Sequence, residues 1–365
     1  MARSLPPTNS RAGWDKSAGA SIFLRRRPPD YWFPRKCEAR SFPGRLRLFG
    51  VPGERALAAF SGVPAPGTLL LPVFPPPTAL AFPPRFPLPG RLLDAVLYSS
   101  TWLAAAAAAQ TAATLHQWRP IGPAGYHLMA LVFAATLLVY NLDATLPFKF
   151  GEPAGRSARK AWQQRHRLLM AGLAAGAAGV AGYFFLVDGW WHYLSLLLPL
   201  AALALLYSWP LGRWRGQRRA LREIPLLKGV LIASVWTAVT VGLPTLVLRQ
   251  PLAAVAGLLG QRFCLIMVIT ILFDIRDYGR DRRAGTRTFP GLLGVRGARW
   301  LALGLLAASV ALGLGRGAAP GAVLVPAGLT TLVTLAARET RGDYFYALLT
   351  DGLLLVQAAA YFVFT

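Results

Sequence analysis

Apolar residues form long runs, separated by short charged segments, from about residue 93 to the end of the chain. Nine such runs are each close to the roughly 20 residues that an α-helix needs to cross a bilayer. Their approximate bounds are 94–117, 125–146, 168–187, 190–208, 228–248, 252–273, 298–315, 319–337 and 344–364. The pattern predicts an all-α fold, a polytopic transmembrane bundle of about nine helices in a lipid bilayer.

Residues 1–92 have a different pattern. They hold 17 of the 29 prolines and 14 of the 39 Lys and Arg residues. Four prolines interrupt the apolar stretch 69–82, and a proline inside a helix costs about 3 kcal/mol, so this stretch is neither a spanning helix nor a signal peptide. The same prolines argue against an organellar transit peptide. We predict that 1–92 is a disordered, dispensable Pro/Arg-rich segment, which a start codon assigned too far upstream would also explain, and that 93–365 is the transmembrane domain.

The basic residues are placed asymmetrically along the chain. Charged residues make up only 15% of the sequence, although its formal net charge is +24. After residue 92, the loops that follow even-numbered segments contain 21 Lys and Arg residues, whereas the alternate loops and helix ends contain four: Arg119, Arg249, Arg262 and Arg316. The positive-inside rule therefore predicts a multi-pass protein of the cell membrane with a cytoplasmic N-terminus and an outer C-terminus. Nucleic acid is not expected as a partner, because its binding requires a basic face on a water-soluble domain.

Cysteine and histidine chemistry is not indicated. Cys37 lies in the N-terminal segment and Cys264 in an apolar run, so they do not form a disulfide framework. The four histidines lack the spacing of metal ligands.

Three aspartates end the sixth apolar segment. Asp274, Asp277 and Asp281 fall within one 60° arc of a helix at 100° per residue, so they share a face and repel one another. Arg276 and Arg280 are expected to project away from that face. A bound Mg²⁺ would neutralise the stripe, since this ion takes one or two carboxylates together with water and phosphate oxygens.

A solvated acidic helix end, paired with Arg282 or Arg283, is the alternative interpretation of the stripe. The residues that follow favour the site, because Gly285, Thr288 and Pro290 complete a longer motif. Segment 274–290 resembles the second aspartate-rich motif of the UbiA-type superfamily of intramembrane prenyltransferases.

This resemblance extends over 93–365 in helix number, orientation and motif position. It implies nine transmembrane helices, aspartate-rich loops after helices two and six, and Mg²⁺ as the cofactor. It also implies two substrates, an isoprenyl diphosphate and a hydrophobic, often aromatic, acceptor. Asp274, Asp277 and Asp281 would then be the metal ligands of the catalytic site.

The first aspartate-rich motif of that superfamily is degenerate here. If Asn141 corresponds to the asparagine of the motif, its three aspartate positions hold Leu142, Thr145 and Lys149. Asn141 and the offset Asp143 remain as candidate ligands for the metal and the diphosphate.

The loop after the fourth segment supplies further candidates. The resemblance implies that Tyr207, Arg222 and Lys228 face the diphosphate. An equally strong alternative is interfacial anchoring, with Tyr207 in an aromatic belt and the basic residues as positive-inside charge. Asp351, in the ninth segment, is an intramembrane carboxylate with either a functional or a packing role.

Three functions compete on the sequence. The first is Mg²⁺-dependent transfer of an isoprenyl group. The second is a degenerate, non-catalytic relative, which the damaged first motif favours. The third is a transporter, which would need ionisable residues deep in several spans.

Overall fold

A computed structural model describes residues 88–146, 157–206, 212–214, 217–219 and 226–365. Almost all of segment 1–92 lies outside these ranges, so its disorder stays a prediction. The described helices are α1 (Leu88–Tyr98), α2 (Thr101–His116), α3 (Pro123–Ala144), α4 (Ala158–Arg165), α5 (Arg167–Val187), α6 (Leu194–Leu206), α7 (Leu227–Thr237), α8 (Leu243–Val247), α9 (Leu252–Ala284), α10 (Phe289–Gly315), α11 (Pro320–Ala336) and α12 (Asp351–Phe364).

Three short helical segments join these elements. A 3₁₀ turn (Trp190–Tyr193) precedes α6, a π-helical segment (Ala238–Gly242) connects α7 to α8, and a second one (Phe345–Thr350) precedes α12. Two three-residue strands, Gly212–Trp214 and Gln217–Arg219, form an antiparallel hairpin in which Arg213 is opposite Arg218.

The helices agree with the nine predicted apolar segments. Within the described residues, six helices are long and apolar enough to cross a membrane, and α1 with α2 makes a seventh span if this pair, bent by 62°, is counted as one. Two shorter apolar helices, Trp190–Ala204 and Pro320–Ala336, match the fourth and eighth segments. The predicted all-α transmembrane bundle is confirmed.

α3 packs against both α2 and α5, α9 to α12 pack in chain order, and α12 closes the bundle against α2. α9 is the central element, because it packs against both α7 and α10. Its middle is buried on all sides, with Val268, Ile271 and Leu272 at 0% exposure. A helix that is apolar around its whole circumference is expected at such a position.

Local signals place the helix ends beside the candidate site. Gly285 adopts φ +70°, which a residue without Cβ tolerates, and terminates α9 just after the aspartates. The Thr286 N–H donates to the Asp281 carbonyl, as in a Schellman motif. Pro290 then occupies the first turn of α10, where its missing N–H costs nothing.

Candidate functional site

The three aspartates lie on the last three turns of α9, as predicted. Asp274 is 3% exposed and Asp281 is 8% exposed, whereas Asp277 is partly buried. Buried carboxylates at a membrane helix end need partners, because the loss of hydration is costly.

Lys228 provides the partner of Asp274. It lies in the first turn of α7, and its Nζ donates to Asp274 Oδ1 at 2.9 Å. Leu231, one turn further along α7, lines the large cavity described below. Lys228 therefore lies three residues before a cavity-lining residue on the same helix.

Arg276 and Arg280 both contact the stripe, so the prediction that they point away from it is wrong. Arg276 donates to both carboxylate oxygens of Asp277, at 3.1 and 3.2 Å, and Arg280 donates to Asp277 Oδ2 at 2.8 Å. A helical-wheel angle describes the direction of Cβ, whereas an arginine side chain is long enough to fold back over its neighbour. Asp277 is thus neutralised within α9 itself.

Asp281 differs from the other two. Its Oδ2 atom is buried and has no hydrogen-bond partner among the described residues, and its Oδ1 atom lies 3.8 Å from Arg280 Nε. Buried polar atoms are rarely unpaired in proteins. Asp281 therefore has a carboxylate oxygen that no described group satisfies.

Asn141 of the degenerate first motif is fully buried. Its Nδ2 donates to the carbonyls of Ser99, at the bend between α1 and α2, and of Leu137, one turn earlier in α3. These bonds fix the amide orientation, and its Oδ1 atom is buried without a partner among the described residues. The amide nitrogen of Asn141 therefore holds α3 to the bend between α1 and α2, and its amide oxygen has no partner among the described residues.

An apolar cavity of about 550 Å³ lies between α3, α5, α6, α7 and the Ala238–Gly242 segment. Ligand pockets of drug-sized molecules fall in the same range of about 300–1,000 Å³. Asp143 and Tyr140 contribute polar groups to the wall from the last turns of α3, and the Tyr140 hydroxyl accepts from Trp236 Nε1 at 3.2 Å. Most of the remaining lining is Leu, Val and Ala.

Hydrogen bonds to Asp343 attach the N-terminus of the short helix α4 to the segment that precedes α12. Asp343 Oδ2 accepts from the Ser157 hydroxyl at 3.2 Å and from the Arg159 backbone N–H at 3.0 Å, at the N-terminus of α4. The Arg159 side chain donates to the Ser100 hydroxyl at 3.0 Å. Burial lowers the pKa of Arg159, and the carboxylate of Asp351 at the start of α12 opposes this effect.

Not every predicted site residue can be located. Tyr207 and Arg222 lie outside the described residues. In the described ranges, no three His, Cys, Asp or Glu side chains converge closely enough to hold a metal ion alone. A metal ion bound here would therefore depend on oxygens from other groups, such as amides or a substrate.

Arg262 is a buried charged residue that was not predicted from the sequence. It was counted with the outer loops and helix ends, but the structure places it inside α9, ten residues after Leu252, at 1% exposure. The sequence does indicate that Arg262 is buried in the membrane, because twelve uncharged residues precede it and eleven follow it.

These features define the class of the protein as a polytopic α-helical membrane protein with a polar cluster at the end of α9 and an apolar cavity between neighbouring helices. No family model matches the sequence, and no curated protein matches it. The fold is that of the UbiA homologues.

Two solved structures carry this assignment. One is a UbiA homologue from Aeropyrum pernix K1, 20% identical, with a TM-score of 0.52, covering 72% of this chain and 97% of its own. The other is a UbiA homologue from Archaeoglobus fulgidus bound to DMAPP and Mg²⁺, 12% identical, with a TM-score of 0.50, covering 74% of this chain and 98% of its own. At these identities the likeness concerns the fold.

Proposed function

We propose that this chain is an intramembrane prenyltransferase of the UbiA-type superfamily, which uses Mg²⁺ to transfer an isoprenyl group from an isoprenyl diphosphate to a hydrophobic acceptor. The observation that carries the proposal is the apolar cavity together with the Lys228–Asp274 ion pair, whose lysine lies three residues before the cavity-lining Leu231 on α7. An apolar chain with a diphosphate head has the same division between an apolar and a charged part. The Archaeoglobus homologue of the same fold is bound to such a molecule.

The residues present fit a magnesium ion only in part. Asp281 has a free oxygen, and Asp274 shares its charge with a single lysine, so these two would hold the ion. Both oxygens of Asp277 are already bonded to arginines, which gives it the role of orienting Arg276 and Arg280. When bound, Mg²⁺ would supply positive charge to the leaving diphosphate.

The protein's own groups account for the rest of the chemistry. In this proposal, Lys228 and the two arginines stabilise the negative charge of the departing diphosphate. The apolar cavity wall excludes water from the carbocation side of the reaction and so protects it from hydrolysis. Asn141, Asp143, Tyr207 and Arg222 remain proposed contacts to the metal or the diphosphate, and the acceptor is proposed to enter the cavity.

Binding of geranyl diphosphate to the full chain in lipid nanodiscs, with Mg²⁺ or with EDTA, tests this function. We expect Mg²⁺-dependent binding that Asp281→Asn or Asp274→Asn weakens 10- to 100-fold, about 1.4–2.8 kcal/mol. Asp277→Asn should weaken binding less, because it removes no available oxygen. Asp188→Asn is the matched control, since Asp188 pairs with His127 outside this cluster.

Two further results would separate the alternatives. Asp143→Asn should match Asp281→Asn if the first motif still supplies a ligand, and have a smaller effect if it does not. Binding without transfer to any aromatic acceptor would favour the non-catalytic relative, which the loss of aspartates at 142, 145 and 149 supports. Absence of Mg²⁺-dependent binding for every isoprenyl diphosphate from ten to fifty carbons would refute the site.

The proposal includes an orientation, with the aspartates at the cytoplasmic face. Its support is the excess of basic residues in the loops on that side. Reporter fusions at positions 155, 220 and 290 should be cytoplasmic, and a fusion after Thr365 should lie outside. A cytoplasmic signal at Thr365 would contradict both the orientation and the odd number of spans.

A further inference from the structure

The direction of α7 relative to α3 follows from two hydrogen bonds. Trp236 Nε1 donates at 3.2 Å to the Tyr140 hydroxyl, near the end of α3. The Thr114 hydroxyl donates at 2.7 Å to the carbonyl of Thr240, one turn after Trp236. Thr114 lies in the last turn of α2, and a short connection leads from there to the start of α3. The segment from α7 to α8 therefore runs antiparallel to α3.

Two walls of the apolar cavity give the same length for it. The lining extends from Leu131 to Asp143 on α3, and from Leu231 to Leu243 on the segment from α7 to α8. Each range advances by twelve residues, or about 18 Å along the helix axis. Because the two segments are antiparallel, Asp143 and Leu231 belong to one end of the cavity, and Leu131 and Leu243 belong to the other.

The end at Leu231 is the one that Lys228 adjoins along α7. Lys228 lies three residues before Leu231 and forms the ion pair with Asp274. With the diphosphate at this ion pair, the isoprenyl chain extends from Leu231 toward Leu243. At the far end the lining side chains of Leu131 and Leu243 are buried, at 8% and 5% exposure, so this end is closed to lipid.

The length of the cavity corresponds to a limited number of isoprene units. An isoprene unit contributes four bonds to the extended chain and advances by about 5 Å, since each carbon–carbon bond is about 1.5 Å long. A cavity of about 18 Å therefore holds about three to four units. Discrimination between chain lengths is steric, because lipid solvates an isoprenyl chain as well as an apolar cavity does.

We propose that the cavity selects isoprenyl chains of about 15–20 carbons, a selection that rests on the proposed function. Ala135, Leu131 and Leu243 set this length. Leu131, Ala135 and Val139 follow one another at four-residue intervals, so they share one face of α3, and all three line the cavity. Ala135 lies midway along this wall, where its small side chain leaves the path to Leu131 open. A large side chain at this position would leave room for about two isoprene units.

The test compares isoprenyl diphosphates of ten, fifteen, twenty and twenty-five carbons, bound with Mg²⁺ to the full chain in nanodiscs. Concentrations are expressed as mole fractions in the bilayer, so that partitioning into lipid does not contribute. We expect the wild type to bind the fifteen- and twenty-carbon chains about 10-fold more tightly than the twenty-five-carbon chain, which must bend against the closed end. Ala135→Phe should weaken binding of the twenty-carbon chain about 10-fold and leave the ten-carbon chain unchanged.

Further variants separate chain length from general damage. Leu243→Ala lengthens the cavity and should reduce the discrimination against twenty-five carbons. Ala308→Phe makes the Ala135 substitution at an exposed position of α10 and should leave the preference unchanged. If Ala135→Phe does not insert, Ala135→Leu places a smaller obstruction at the same position and should weaken the twenty-carbon chain selectively.

Two outcomes would overturn the length selection. One is equal binding of all four chains by the wild type, which would mean that the chain leaves the cavity on the side of α6, where the lining residue Leu198 is 66% exposed. The other is a loss in Ala135→Phe that is the same for every length. Both leave Mg²⁺-dependent binding intact, whereas failure of the proposed function would abolish binding of every chain.

Discussion

Two regions of α9 contain buried charge, and the charges are paired in one region and unpaired in the other. At the carboxylate end, Asp274 has Lys228 as its partner, and Asp277 has Arg276 and Arg280. In the middle of the same helix, Arg262 has one neutral hydroxyl and no described carboxylate. Removing a partner from a buried ion pair leaves an uncompensated charge, whereas removing an unpaired charge relieves one. The same kind of substitution should therefore change stability in opposite directions at the two positions.

The largest effect is expected at the carboxylate end. Lys228→Met should destabilise the protein by about 3 kcal/mol, because it leaves the Asp274 carboxylate buried and unpaired. Reversible unfolding in mixed micelles measures the change. The double variant Lys228→Met/Asp274→Asn should recover much of the loss, and Arg296→Met, at an exposed position, should be neutral. If the double variant loses as much stability as the two single variants together, Lys228 and Asp274 do not stabilise each other.

Asn141 extends the comparison to a buried neutral side chain at the end of α3. Asn141→Asp restores a carboxylate near the first motif but removes the two N–H donors that bond to Ser99 and Leu137. It also places negative charge against two carbonyl oxygens. We expect a loss of about 2–3 kcal/mol in the free energy of unfolding.

Geranyl diphosphate binding by the same variant shows whether the position can serve the site. A gain in Mg²⁺ affinity without loss of stability would mean that the amide nitrogen contacts are dispensable and that the degenerate motif is easily repaired. Asn141→Ala is the matched variant, since it loses the same donors without adding charge.

Replacing Arg262 should change the stability of the protein in the opposite direction to replacing Lys228. Arg262→Met preserves most of the side-chain volume and removes an unpaired charge, so we expect a stabilisation of about 1–3 kcal/mol in unliganded protein. The measurement is the same unfolding equilibrium in mixed micelles. A destabilisation of similar size would show that Arg262 is paired in the unliganded state.

The fold could be predicted from the sequence because a bilayer imposes a length on every spanning helix. The nine apolar segments and the position of the aspartates at the end of the sixth follow from that constraint. The partners of the aspartates could not be predicted, because Lys228 reaches Asp274 across 46 residues of sequence. Arg276 and Arg280 were misplaced for a different reason, since wheel angles ignore the flexibility of long side chains. Arg262 was misassigned because a count of charges by loop does not record depth in the membrane.

The smallest effects concern how tightly the region around Arg262 is packed. A Cβ at Gly313 would lie 2.6 Å from Gln261 Nε2 and 3.0 Å from Val323 Cγ2, whereas a Cβ at Gly304 on the same helix would meet nothing within 4 Å. Gly313→Ala should therefore cost about 1 kcal/mol through overpacking. Gly304→Ala should stabilise the protein by about 0.5–1 kcal/mol, since alanine loses less backbone entropy in a helix. The pair is matched in chemistry and differs only in space, so opposite signs in the unfolding equilibrium would show that α9 and α10 are in close contact beside Arg262. Equal signs would mean that Gln261 moves aside, and that the polar groups around Arg262 are free to rearrange.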